Sequence, residues 1–105
     1  MRRLRPEPRI LTVEEVRNLE PGTSVWHECW FEVLGDKTQE YWLLLDGGKA
    51  ATELMMCVLT PDGTLHDKGG FTYLLEITIT STDDYKQRYW LGEPTREQRI
   101  QAKWE

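Results

Sequence analysis

The chain contains no apolar run near the roughly 18 residues that a membrane-spanning helix requires. It has only two cysteines and two histidines in 105 residues, too few for a disulfide framework and poorly spaced for a zinc cluster. No internal repeat or low-complexity segment is visible, which sets aside solenoid and fibrous classes. The opening Met1-Arg2-Arg3-Leu4-Arg5-Pro6 is basic and lacks the apolar stretch of a secretory signal. A cytoplasmic protein is the expectation, and Cys29 and Cys57 are then reduced thiols inside apolar runs.

What is present suits one globular domain. The hydrophobic share is 39% and the charged share 30%, enough for a single core at this length. Five tryptophans and four tyrosines exceed what such a core hides, so aromatic surface is expected near solvent. The formal charge is −5, and residues 1–9 carry four arginines against one glutamate, which leaves −8 for the rest. So acidic a body repels phosphate backbones and argues against general nucleic-acid binding. A partner with a basic groove fits it better.

Residues 1–10 read as a flexible basic arm, with Arg2, Arg3, Arg5 and Arg9 interrupted by Pro6 and Pro8. A single domain is expected over 11–105. Thr12 and Glu15 have the spacing of a capping box, flanked by Leu11 and Val16 as a hydrophobic staple. Val13, Val16 and Leu19 share the apolar face of the helix, which Pro21-Gly22 ends. From Ser24 to Leu34 the pattern alternates as a strand. Val25, His27, Cys29, Phe31 and Val33 share one face, and Trp26, Glu28, Trp30, Glu32 and Leu34 the other. After Gly35-Asp36-Lys37, a second strand is expected over Gln39 to Asp46.

Residues 49–59 are ambiguous between helix and strand, and a strand from about Glu53 is the favoured reading because Thr60-Pro61-Asp62-Gly63-Thr64 makes a hairpin turn. Further strands are expected from Phe71 to Thr80 and from Lys86 to Leu91. Thr95 and Gln98 form a second capping box opening a terminal helix, with Ile100 and Trp104 as its packing residues. The fold class is therefore α+β: an antiparallel twisted sheet or partly closed barrel of about five strands between an N-terminal and a C-terminal helix.

Chemistry-bearing residues are few. His27, Cys29, Cys57 and His66 are the conceivable metal ligands, but they lack close paired spacings, so neither metal nor cofactor is expected. Asp46-Gly47-Gly48-Lys49 has neither the leading glycine nor the following Ser or Thr of a phosphate loop and reads as a turn. No motif joins Ser24 or Cys57 to a histidine, and Glu14-Glu15 and Asp83-Asp84 serve a helix start and a turn. The chain reads as a non-enzyme. The face with Trp26, Glu28, Trp30 and Glu32 is the better candidate, suited to a cationic groove if exposed, and buried if the terminal helix covers it.

The tail Tyr85-Lys86-Gln87-Arg88-Tyr89-Trp90-Leu91-Gly92-Glu93-Pro94-Thr95-Arg96-Glu97-Gln98-Arg99, closing on Lys103-Trp104, resembles the ends of small accessory proteins encoded by phages and prophages of Firmicutes. Leu11-Thr12-Val13-Glu14-Glu15-Val16, Pro21-Gly22-Thr23 and Val25-Trp26 fit the same pattern, whereas 35–80 does not match it. The resemblance implies a mobile-element protein acting in a host cell, and no catalytic residue carries over. Acidic proteins of this origin and size are often inhibitors of host defence, anti-CRISPR proteins among them, which is an argument by analogy.

Three functions follow as expectations. The first is an inhibitor that occupies the nucleic-acid channel of an RNA-guided nuclease, with Trp26, Glu28, Trp30, Glu32, Asp83 and Asp84 as the partner-binding surface. The second is a sponge for a nucleotide immune signal, held by Lys86, Arg88, Tyr89 and Trp90. The third is a phage structural or regulatory protein without inhibitory action. A homo-oligomer is compatible with each.

Overall fold

The computed structural model describes residues 7–35, 39–75 and 85–104. In chain order these form β1 (Arg9–Leu11), α1 (Val13–Arg17), β2 (Ser24–Glu32), β3 (Leu43–Leu45), a 3-10 turn (Asp46–Gly48), β4 (Ala50–Leu59), β5 (Thr64–Asp67), β6 (Thr72–Leu74), β7 (Tyr85–Leu91) and α2 (Arg96–Gln101). The fold is α+β. All strand pairs are antiparallel, in the order β1-β7-β2-β4-β5-β6, with β3 alongside β4. The sheet is open, so the barrel alternative is not realised.

The strand β2 lies at the centre because both of its edges are hydrogen-bonded for much of its length. It pairs with β4 from Ser24↔Val58 to Glu32↔Ala50 and with β7 from Trp26↔Trp90 to Phe31↔Tyr85. This long pairing explains the outcome at 49–59. Ala, Glu, Leu and Met favour helix only weakly, and a continuous ladder against β2 overrides them from Ala50 onward. The expected strand over Gln39–Asp46 shrinks to Leu43–Leu45. Residues before it turn instead, Trp42 N–H donating to the Gln39 carbonyl, and the Trp42 ring meets Phe31 edge-on at 4.7 Å.

Two short strands escaped the sequence pattern. Arg9–Leu11, expected partly in the arm, pairs with Tyr89–Leu91 of β7, and Thr64–Asp67 completes the hairpin after the Thr60–Thr64 turn. Of the strand expected over Phe71–Thr80, Thr72–Leu74 is formed, and 76–80 lies outside the described residues.

The core occupies the face of Val25 and Cys57. There α1 lays Val16 against Leu11, Leu59, Leu65, Leu75 and Tyr89, with Val13 and Leu19 at its margin. The capping box of Thr12 and Glu15 is present, and each buried aliphatic side chain contributes about 1.5–3 kcal/mol. The other face is where α2 lies, and it is built differently.

Candidate functional site

On the second face the pleat of β2 presents Trp26, Glu28, Trp30 and Glu32, as the alternation requires. Register sets Trp26 between Trp90 and Met56, Glu28 between Arg88 and Leu54, and Trp30 between Lys86 and Thr52. Glu28 is completely buried. Its Oε1 accepts from Arg88 Nε at 2.7 Å and from Trp90 Nε1 at 2.8 Å, while Oε2 accepts from Arg99 Nε at 2.9 Å. Burial would raise its pKa, but the bonds from Arg88, Trp90 and Arg99 outweigh burial and hold the carboxyl below its usual range.

Arg99 reaches Glu28 from α2. Its Nη2 also donates to Thr52 Oγ1 at 2.7 Å and to the Thr52 carbonyl at 3.3 Å. Arg88 in turn donates to the carbonyls of Arg99 and Ala102, both at 3.0 Å, and so satisfies the end of the helix. The Arg88 guanidinium lies 3.7 Å from the Trp104 ring centroid and 5.3 Å from that of Trp90, a cation–π arrangement. Lys86 stands over Trp30 at 5.1 Å.

These contacts correct several expectations. Glu28 is no part of an open contact surface, because two arginines and an indole N–H take the place of its water. Trp26 and Trp30 remain half-buried and Glu32 exposed. Asp83 and Asp84 lie outside the described residues. Among the residues expected to hold a nucleotide, Arg88 and Trp90 are buried and bound to Glu28, whereas Tyr89 faces the opposite side of the sheet, where it packs in the core. The four therefore share no pocket. The capping box of Thr95 and Gln98 is formed, and of the two expected packing residues Trp104 packs, against Arg88, while Ile100 does not. Ile100 is 55% exposed, Trp104 lies beyond the helix end, and Arg99 is the buried residue of α2.

Arg99 was the functional side chain missed by pattern reading. A signal existed: Arg96–Gln101 offers a single large apolar residue, too little for a hydrophobic stripe. A helix so poor in apolar groups docks through polar ones, and Glu28 supplies the matching charge.

The core face holds a second polar cluster. His27 is fully buried, donates from Nε2 to Gln87 Oε1 at 3.0 Å, and lies between the rings of Tyr73 and Tyr89 at 4.8 and 5.5 Å. Burial lowers its pKa, against the opposing effects of Gln87 and the Glu28 charge. Cys29 Sγ is 3.6 Å from Nδ1 and 3.7 Å from Nε2. A sulfur almost equidistant from both ring nitrogens is in line with neither lone pair, so the pair is not arranged as a thiol–imidazole relay.

Cys57 is also buried, and desolvation, reinforced by Asp67 and Cys29, pushes its pKa up to about 12. Register sets Cys29 opposite Glu53 and Cys57 opposite Val25. Four residues of strand separate these positions, roughly 13 Å at the usual rise, beyond disulfide reach. His66 pairs with Val58 and Thr72 on the other face of the sheet, so the four conceivable zinc ligands do not converge. Among the described residues, no three His, Cys, Asp or Glu side chains gather as a metal site.

Comparison with protein-family models, with curated proteins and with solved structures finds no match to this chain.

Proposed function

We propose that the protein is a binding protein that inhibits a host defence system. Its contact surface is the sheet face of Trp26, Trp30 and Glu32, and its partner is an RNA-guided nuclease with a basic nucleic-acid channel. The observation that carries this reading is the incomplete cover of that face. A six-residue helix closes over Glu28 and leaves the two flanking tryptophans half-buried and Glu32 in solvent. Half-buried indoles beside an acid are the composition of an interface anchor for a cationic partner. The net charge of −5 works in the same direction, favouring a basic groove and disfavouring nucleic acid itself. The resemblance to phage accessory proteins supplies the class of partner.

Sequestration of a nucleotide signal has less support, because Arg88 and Trp90 already serve Glu28 and Tyr89 faces away. The test uses capture of the nuclease from a host lysate, followed by a cleavage assay with the purified chain. Stoichiometric inhibition is expected, weakened on the order of tenfold or more by Trp26→Ala or Glu32→Lys, the usual cost of losing an interface anchor, with thermal melts showing that both variants fold. Undiminished inhibition by folded variants removes this surface from the proposal. Absence of a nuclease from the eluate removes the partner.

A further inference from the structure

We propose that Glu28 and Thr52 form an arginine receptor, filled by Arg99 of the same chain and open to an arginine-bearing segment of a protein partner when α2 lifts away. The receptor is carried by the sheet, although Arg88 also donates to the carbonyls of Arg99 and Ala102 at the end of α2. Arg88 and Trp90, both on β7, hold Glu28 through Oε1 at 2.7 and 2.8 Å, contacts that α2 does not itself supply. Oε2 then points to the α2 side, where it takes Arg99 Nε at 2.9 Å. Thr52 on β4 completes the site with its hydroxyl and carbonyl, which accept from Arg99 Nη2 at 2.7 and 3.3 Å. A carboxylate, a hydroxyl and a carbonyl converging on one guanidinium make a selective site for arginine, since lysine cannot span them.

The occupant is held by polar contacts, from Arg99 to Glu28 and Thr52 and from Arg88 to the carbonyls of Arg99 and Ala102, and not by an apolar stripe. Six residues of helix are too few to persist without docking, and Arg99 is the only buried residue of α2. Its one large apolar side chain, Ile100, faces solvent. Departure of α2 leaves Glu28 paired with Arg88, a neutral couple, and turns to solvent the Arg88 donors that met the carbonyls of Arg99 and Ala102. These features describe a preorganised site with an exchangeable occupant. The inference deepens the reading of this face as a contact surface and names the partner's chemistry. It depends on that reading only for the partner's identity.

The test uses the full chain and a fluorescent peptide of residues 93–105. Hydrogen exchange is expected to be at least about 100-fold faster at the α2 amides of Arg99 and Ala102 than in the β2–β4 ladder, the mark of opening without global unfolding. The peptide is expected to bind saturably. Changing its own arginine, Arg99→Ala in the peptide, should weaken binding on the order of tenfold or more, and this variant leaves the folding of the protein untouched. Peptide binding that ignores the arginine, no peptide binding, or α2 amides that exchange only with the ladder each overturn the proposal. Capture of a nuclease bears on the wider reading and has no effect on this result.

Discussion

Glu28 lies between two tryptophans in the pattern of β2 and has no exposed surface in the structure. Its charge is tolerated because two guanidiniums and an indole N–H replace lost water. Removing it strands Arg88 and Arg99 together, so Glu28→Ala is expected to cost about 3–5 kcal/mol. Arg99→Ala leaves Glu28 paired with Arg88 and is expected to cost less, about 1.5–3 kcal/mol. Urea denaturation of both variants measures the difference, and equal losses would contradict this division of roles. Glu28 titrates below its usual range, so its stabilisation is complete above the unfolded carboxyl value of about 4.3 and is lost as pH falls through the folded value. Side-chain type and spacing placed Glu28 on the correct face. They could not say whether its neighbour there was water or arginine, because that neighbour is 71 residues away in the chain.

Both capping boxes were legible, since a cap is a contract between residues three apart and needs no tertiary partner. The β4–β5 turn was legible for the same reason. Its Asp62 carboxylate accepts from the Thr64 amide and hydroxyl and from the Thr60 hydroxyl, and Gly63 adopts φ +83°. A Cβ at Gly63 meets nothing within 4 Å, so the cost of Gly63→Ala is purely that of a left-handed backbone, about 1–2 kcal/mol. A smaller loss by thermal or urea unfolding would mean that the turn rearranges. Strands β1, β3 and β5 were harder to read. Each has three or four residues, too few for period-two alternation to declare itself, and each exists because a longer strand offers an edge.

Across the whole molecule the sheet separates two kinds of interior. One face buries aliphatic groups under α1, together with His27, whose ring is kept neutral by burial. Gln87, Tyr73, Tyr89 and Cys29 surround that ring, and Tyr73 donates to Asp67 at 2.8 Å. Because the folded pKa lies below the unfolded value of about 6.5, the unfolded chain binds a proton that the folded chain refuses. Stability is therefore expected to be full above about pH 6.5 and to fall as pH drops from there toward 5. Melting temperatures across that window should decline, and His27→Gln should flatten the decline. An unchanged slope in that variant would assign the effect elsewhere.

The amino-acid sequence by itself determined the class of fold, the two faces of β2, both helix starts and the principal turns. All of these depend on neighbours within a few residues. Only the tertiary structure decided that β2 lies between β4 and β7, that the sheet stays open, and that α2 docks through Arg99 with Ile100 left in solvent. Those outcomes compare alternative long-range partners for the same groups, and a burial cost or an ion pair takes its value only once the partner is in place.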